Sequence, residues 1–212
     1  MNGFYARHVK RPLDVVGSAG LLLATAPVHA VCAALVAMTS GRPVYFHQER
    51  SGKDGVPFRV HKLRTMRNGT EQRSGNYPTE DMVTPVGSFL RRSSLDELPQ
   101  LFNVLRGEMS FVGPRPALPS QVARYTAQQR ERLLVRPGVT GLAQIKYRNA
   151  APWSVRIESD REYVKNLSFL NDLRILVMTL PSVLFGHGQV VGQSAAEVDD
   201  LAPLPETAGV HI

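Results

Sequence analysis

The longest apolar run in the chain covers residues 13–38. No Lys, Arg, Asp or Glu stands between Asp14 and Arg42. A straight helix of that length would reach across a hydrocarbon core of ~30 Å. Pro27 falls in its middle, however, where a missing N–H and a ring clash kink or break a helix. Basic residues flank both ends: Arg7, Lys10 and Arg11 before, Arg42, Arg50 and Lys53 after. The positive-inside rule therefore puts both ends on the cytoplasmic side. At about 1.5 Å per residue, each half reaches only about halfway across. The pattern predicts a re-entrant helix broken at Pro27, which dips into one leaflet and returns. His29, just past the break, would face an interface or a protein partner rather than lipid. A plain kinked crossing helix is the competing reading. A signal peptide fits worse, since no clean small-residue cleavage site precedes Arg42.

After the apolar run the period changes. Residues 43–48 are extended, Ser51 to Gly55 form a turn, and 56–61 return with Phe58 and Val60 on one face, predicting a β-hairpin. Lys62 and Arg64 follow two residues apart, so an extended segment would turn both toward one side, within reach of a phosphate. Residues 68–80 are polar and rich in Gly, Ser and Asn, a mobile or plain surface loop. Pro85 suits the first turn of a helix. Residues 118–134 read as one amphipathic helix carrying Arg124, Arg130 and Arg132, lying in the membrane interface or on a core. A loop with Gly138, Thr140, Gly141 and Gln144 follows, whose backbone N–H groups could meet an anion or a base edge. Residues 158–166 are helical, with Asp160, Arg161, Glu162 and Lys165 spaced as on a surface face. The apolar stretch 168–184 is interrupted by Asn171, Asp172, Arg174 and Pro181, and reads as a helix against the membrane or the domain core. The result is an α+β fold, mainly helical. It divides into an N-terminal basic segment with its membrane helix (1–40), a catalytic domain (41–185) and a flexible C-terminal tail (186–212).

Charge sharpens this picture. Lys and Arg total 25 against 18 acids, a net charge of +7, which favours polyanions or an anionic bilayer. No helix-turn-helix, zinc-finger or RNA-motif pattern is present, so nucleic acid is not an expected partner. The single cysteine, Cys32, excludes an internal disulfide and a cysteine metal site.

The candidate chemistry lies in residues 91–116, RRSSLDELPQLFNVLRGEMSFVGPRP. Asp96 and Glu97 are adjacent, Pro99 closes the turn after them, and Arg115 is pinned between Pro114 and Pro116. Two acids, a rigid arginine loop and the basic pair Arg91 and Arg92 suit a metal and a phosphate ester. Ser93 or Ser94 as a helix N-cap, with acids in the first turn, accounts for the same residues. Local chemistry leaves both readings open.

The wider pattern resembles the bacterial sugar transferase family, the small monotopic polyprenyl-phosphate glycosyl-1-phosphate transferases (phosphoglycosyl transferases). The resemblance runs over about residues 10–184. It rests on Lys10-Arg11 with Asp14, the proline-broken apolar helix, Gly41-Arg42-Pro43, Lys62-Leu63-Arg64-Thr65-Met66, Ser94-Leu95-Asp96-Glu97-Leu98-Pro99, Asn103 to Ser110, Val112 to Pro116, the 136–144 loop and Arg148-Asn149. It implies a cytoplasmic-face enzyme of the bacterial inner membrane that transfers a sugar-1-phosphate from a UDP-sugar to undecaprenyl phosphate, with Mg²⁺. Exopolysaccharide, O-antigen or glycoconjugate synthesis would follow. Asp96 would be the nucleophile of a covalent phosphosugar–aspartyl intermediate. Glu97 would be its partner and main metal ligand, with Asp96 also at the metal. Arg115 would clamp the anion, with Lys62, Arg64, Gln144 and Arg148 as further substrate contacts. A homodimer and an anionic phospholipid surface are the other implied partners. Two positions depart from the family pattern: Ala26 stands where Ser often precedes the proline, with Thr25 as a substitute cap for freed carbonyls, and Tyr147 stands where Gly often precedes Arg-Asn.

Overall fold

A computed structural model describes residues 3–67, 69–70, 80–147, 151–184 and 198–201. The chain enters through a π-helical turn, Tyr5–Val9, and runs into a long helix α1, Lys10–Ser40. Helicity continues through Pro27. The expected interruption is therefore a proline inside one helix and not a gap between two. Pro27 cannot donate to the Leu23 carbonyl one turn back. The Thr25 hydroxyl instead donates to the Leu21 carbonyl at 2.6 Å, so it does not replace the lost bond.

The domain holds α1 at both ends. At the first end, Arg11 donates to the carbonyls of Val104 (2.6 Å) and Leu105 (2.8 Å). Asp14 accepts from the Ser110 hydroxyl and the Phe111 N–H, both at 3.1 Å. At the other end, Cys32 and Val36 join Leu63 and Leu90 in a buried cluster, and Arg64 donates to the carbonyls of Ser40 and Gly41. His29 reaches the Tyr45 hydroxyl of its own chain at 2.9 Å. Between these anchors Leu21, Leu23, Val28 and Val31 are exposed. A helix tied at both ends to one small domain cannot deliver those ends to opposite faces of a bilayer. The association is monotopic, at the cytoplasmic face, in line with the basic residues on both flanks.

Strands β1, Tyr45–Ser51, and β2, Pro57–Leu63, form the expected antiparallel hairpin, with Tyr45 opposite Leu63 and Ser51 opposite Pro57. Helix α2, Pro85–Arg92, starts where proline suits it, and the Thr84 hydroxyl accepts from Gly87 N–H at 2.9 Å. Helix α3, Gln100–Arg106, packs on β2 through Val104, buried with Val60, and through Asn103. The Asn103 side chain is fully buried, accepts from His61 N–H (3.2 Å) and donates to the Arg59 carbonyl (2.7 Å). Its amide thus imitates a strand neighbour at the free edge of β2.

A second sheet has no counterpart in the sequence reading: β3, Ser110–Val112, runs parallel to β4, Gly138–Thr140. Each is three residues long, too short for a visible alternation. The amphipathic helix expected over 118–134 is also replaced. A four-residue helix α4, Pro119–Val122, gives way to turns and a 3₁₀ segment, Gln129–Leu134. Helix α5, Leu142–Tyr147, leads toward α6, Trp153–Lys165. Asp160, expected on a solvated face, is fully buried against Arg132, with Nη2 to Oδ2 at 2.6 Å. A buried acid and a buried base at this spacing look like surface charges in sequence, because only the fold shows that they meet.

Helix α7, Phe169–Leu184, lays Asp172 and Ile175 on the domain and leaves Leu170, Leu173, Val177 and Leu180 exposed. Asp172 accepts from Tyr5 (2.7 Å), Lys10 (2.5 Å) and Tyr163 (2.7 Å), so α7 and the foot of α1 are locked side by side. Both helices carry exposed apolar residues on their outward faces.

Candidate active site

The acidic pair sits at a chain reversal. Helix α2 ends at Arg92, and the Ser93 hydroxyl donates back to the Phe89 carbonyl (2.9 Å) and the Leu90 carbonyl (3.2 Å). Ser94 then adopts a left-handed conformation, φ 57°, before a 3₁₀ turn, Leu95–Glu97. The Ser94 side chain makes no capping hydrogen bond. The helix-cap reading of Asp96 and Glu97 therefore fails. Ser93 closes the helix behind and Ser94 turns the corner, which leaves the two carboxylates for other work.

Their surroundings differ sharply. Glu97 Oε1 takes Lys62 Nζ at 2.6 Å and Arg115 Nη2 at 3.4 Å. Burial alone would raise its pKa, but Lys62 and Arg115 outweigh that and hold it down at about 2. Asp96 is only 4% exposed, and no described residue donates a hydrogen bond to it. Burial pushes its pKa up to about 6, opposed first by Lys62, with Glu97 adding to the rise and Arg91 and Arg115 opposing it. One acid is a fixed anion in an ion-pair cluster. The other is a buried carboxylate that accepts no hydrogen bond from a described residue and whose pKa is raised by its burial.

Two further described cations lie near the pair. Arg91 Nε donates to the Thr65 hydroxyl at 2.8 Å, which turns its charge toward Asp96 and Glu97. Arg50, a flanking basic residue in the sequence, is half-buried near Arg115 and Glu97. Burial first, then the Arg115 charge, lower its pKa to about 10. Its position on β1, one residue before the turn, carried no signal of this. The hairpin places it opposite Phe58, and the sheet register does the rest.

The Gly113-Pro114-Arg115-Pro116 segment is rigid because its backbone groups are satisfied one by one. Two prolines remove N–H donors, so no ladder can form. Instead Gly113 N–H donates to the Thr140 carbonyl (2.9 Å), and Gly138 N–H to the Pro114 carbonyl (2.9 Å). Arg132 donates to the Arg115 carbonyl (2.8 Å), and Arg50 to the Pro116 carbonyl (3.3 Å). A Cβ on Gly113 would stand 2.4 Å from the Arg136 carbonyl oxygen, so only glycine permits this approach. Buried Arg132 is tied in turn to Asp160 and to the Tyr125 hydroxyl (2.7 Å). The backbone beneath Arg115 is thus anchored to a fully buried ion pair.

Of the residues expected at the site, Asp96, Glu97, Lys62 and Arg115 come together. Arg64 is buried and directs its guanidinium to the end of α1. The Gln144 amide donates to the Val139 carbonyl at 3.0 Å, and its buried Oε1 has no hydrogen-bond partner among the described residues. Arg148 lies outside the described residues, as does most of the loop expected over 68–80. For a divalent cation, the described residues contain no cluster of three or more Asp, Glu, His or Cys side chains. The donor set still fits Mg²⁺, a hard cation that keeps waters and substrate phosphates and needs only one or two protein carboxylates.

Comparison with known proteins decides the assignment. A family model described as bacterial sugar transferase matches residues 5–186. The chain belongs to that family. The transferase is 42% identical over 180 residues to the uncharacterized sugar transferase EpsL of Bacillus subtilis, covering 85% of this chain and 89% of that one. It is 42% identical to the UDP-glucose:undecaprenyl-phosphate glucose-1-phosphate transferase of Caulobacter vibrioides, covering 82% of this chain and 69% of the relative. It is 35% identical to the undecaprenyl-phosphate galactose phosphotransferase of Salmonella typhimurium, covering 86% of this chain and 42% of that longer protein. The transferase is an enzyme of the phosphoglycosyl transferase type.

Proposed function

We propose that this transferase moves a sugar-1-phosphate from a UDP-sugar to undecaprenyl phosphate, with Asp96 as a covalent nucleophile. The observation that carries the proposal is the asymmetry of the acidic pair: Glu97 is engaged by Lys62 and Arg115, while Asp96 is buried with no described donor. A carboxylate without hydrogen-bond donors is a better nucleophile than one already neutralised by two cations.

In the first step an Asp96 oxygen bonds to the sugar-linked phosphorus, the bridging P–O bond breaks, and UMP leaves with that electron pair. In the second, an oxygen of the lipid phosphate attacks the same phosphorus. The aspartyl P–O bond breaks, and the Asp96 carboxylate is regenerated with a polyprenyl diphosphate sugar as product. Lys62, Arg115, Arg91 and Arg50 supply the charge that an incoming diphosphate requires. Lys62 and Arg115 share Glu97 in the resting site and can be handed to the phosphates without crossing the pocket. Mg²⁺ would sit with Glu97 and Asp96 and neutralise the diphosphate. The monotopic helix, with Pro27 as its membrane bend, supports the reaction by holding the site at headgroup height, where a soluble nucleotide and a lipid phosphate can meet. The end of β2, through Arg64, ties the site to that helix.

The test is intact-mass measurement after incubation with a panel of UDP-sugars and Mg²⁺ but no lipid acceptor. The wild type should gain one sugar-phosphate, and Asp96→Asn should gain none. An adduct that persists in the variant removes Asp96 from the role, and an inert wild type removes the covalent route.

A further inference from the structure

The family match ends at residue 186, yet residues 198–201, within the stretch expected to be a flexible tail, are docked on the domain. Val198 is 3% exposed and Leu201 is 6% exposed. Leu201 enters a buried cluster with Ala117, Val122, Tyr125 and Ile157. Arg124 pairs with Asp199 at 2.8 Å and also donates to the Leu201 carbonyl.

The fourth contact is the most informative. Helix α6 begins after Pro152, which has no side-chain oxygen and makes no capping hydrogen bond. The helix N-terminus therefore lacks a cap from its own sequence. Asp200 supplies one from 46 residues away. Its Oδ1 accepts from Ser154 N–H at 3.0 Å, and its Oδ2 accepts from the Ser154 hydroxyl. An anion at this end of a 13-residue helix is also favoured by the helix dipole.

This segment touches the two supports of the Arg115 loop. Ala117 is two residues from Arg115. Tyr125, beside Leu201, accepts the hydrogen bond of Arg132, and Arg132 holds the Arg115 carbonyl and pairs with Asp160 on α6. We infer that residues 198–201 form a strap, outside the family match, that caps α6 in trans and positions the Arg115 loop for substrate. This rests on the reading of Arg115 as an anion clamp, given above. The strap residues are positioning residues, since none of them touches the acidic pair.

The experiment uses the full chain in detergent or nanodiscs, with three changes: Asp200→Ala, Asp200→Asn and truncation after residue 197. Two readouts are followed: amide exchange at Ser154, and KM and kcat for the UDP-sugar that labels the wild type. Asparagine caps a helix about as well as aspartate, so Asp200→Asn should behave like the wild type. Asp200→Ala should speed exchange at Ser154 by about fivefold, the fold-change of losing one cap. It should also raise KM severalfold while kcat stays within about twofold. Truncation should do the same more strongly. Unchanged KM in both Asp200→Ala and the truncated chain overturns the strap, even if Ser154 exchange quickens. So does an Asp200→Asn variant as impaired as the alanine. A wild type with no sugar-nucleotide activity would instead count against the functional reading, and the exchange data would then still decide whether the cap exists.

Discussion

Lys62→Met tests how the site divides labour between its two acids. Lys62 lies 2.6 Å from Glu97 and is the largest influence opposing the burial that raises Asp96. As the proposed nucleophile, Asp96 would have to be ionised to attack phosphorus. With its pKa at about 6, the rate should fall on the acid side, to about a tenth of its plateau at pH 5. Removing a nearby opposite charge typically shifts a carboxylate by ~1–3 pKa units. In Lys62→Met the acid limb should therefore move up by at least about one unit. The ionised fraction of Asp96 at pH 7 would drop from about 90% to about 50% or less. Glu97 loses its closest partner as well, but starts from about 2 and stays ionised at neutral pH with Arg115 still beside it. The assay is UMP release under kcat/KM conditions from pH 4.5 to 9, with each profile scaled to its own plateau. That scaling separates the shift of the limb from any loss of phosphate binding. A wild-type limb near pH 4, or a limb unmoved by Lys62→Met, would refute the account of Asp96 as a buried carboxylate kept ionised by Lys62.

The same pair makes a stability statement with opposite signs. The raised Asp96 pKa means the folded state binds that proton more tightly. Its charge costs about 3 kcal/mol above pH 6, and nothing below about pH 4. The depressed Glu97 pKa contributes a similar ~3 kcal/mol above about pH 4.5, lost as pH falls toward 2. Asp96→Asn should therefore raise the apparent Tm by several degrees at pH 7.5 and by little at pH 4.5; a lower Tm at pH 7.5 would contradict it. Arg132→Met strands Asp160 in the core, and should cost about 3–5 kcal/mol in chemical denaturation. A change below about 1 kcal/mol would mean the pair is not buried as described. In a Cys32→Ala background, Gly3→Cys and Glu49→Cys should both react with a membrane-impermeant thiol reagent from the cytoplasmic side only. Labelling from opposite sides would sink the monotopic arrangement.

Much of the architecture was legible in the chain because its signals are local. An uncharged run between Asp14 and Arg42, an alternating hairpin around Ser51 to Gly55, and a proline at a helix start each declare themselves within a few residues. What misled was charge. Asp160 and Arg132 carry the spacing of a solvated face, and 28 residues separate them, so nothing local shows that each buries the other. The short parallel pair β3–β4 escaped for a related reason. Three residues per strand give no period, and the pairing depends on two glycines that let the backbones approach.

The sequence by itself determined the anchor, the hairpin, the adjacent carboxylates and the proline-locked arginine. All of these are set by backbone and hydropathy rules acting over one or two turns. Local residue chemistry did not separate Asp96 from Glu97 and left a helix-cap role open; the family resemblance implied different roles for them. The tertiary structure supplied the different surroundings. The buried Asn103 amide pins α3 to β2, and so brings Lys62 to Glu97. The Arg132–Asp160 pair fixes the backbone that presents Arg115 to the same oxygen. Burial and those two cations, both distant in sequence, leave one acid as a paired anion and the other as a buried carboxylate to which no described residue donates a hydrogen bond.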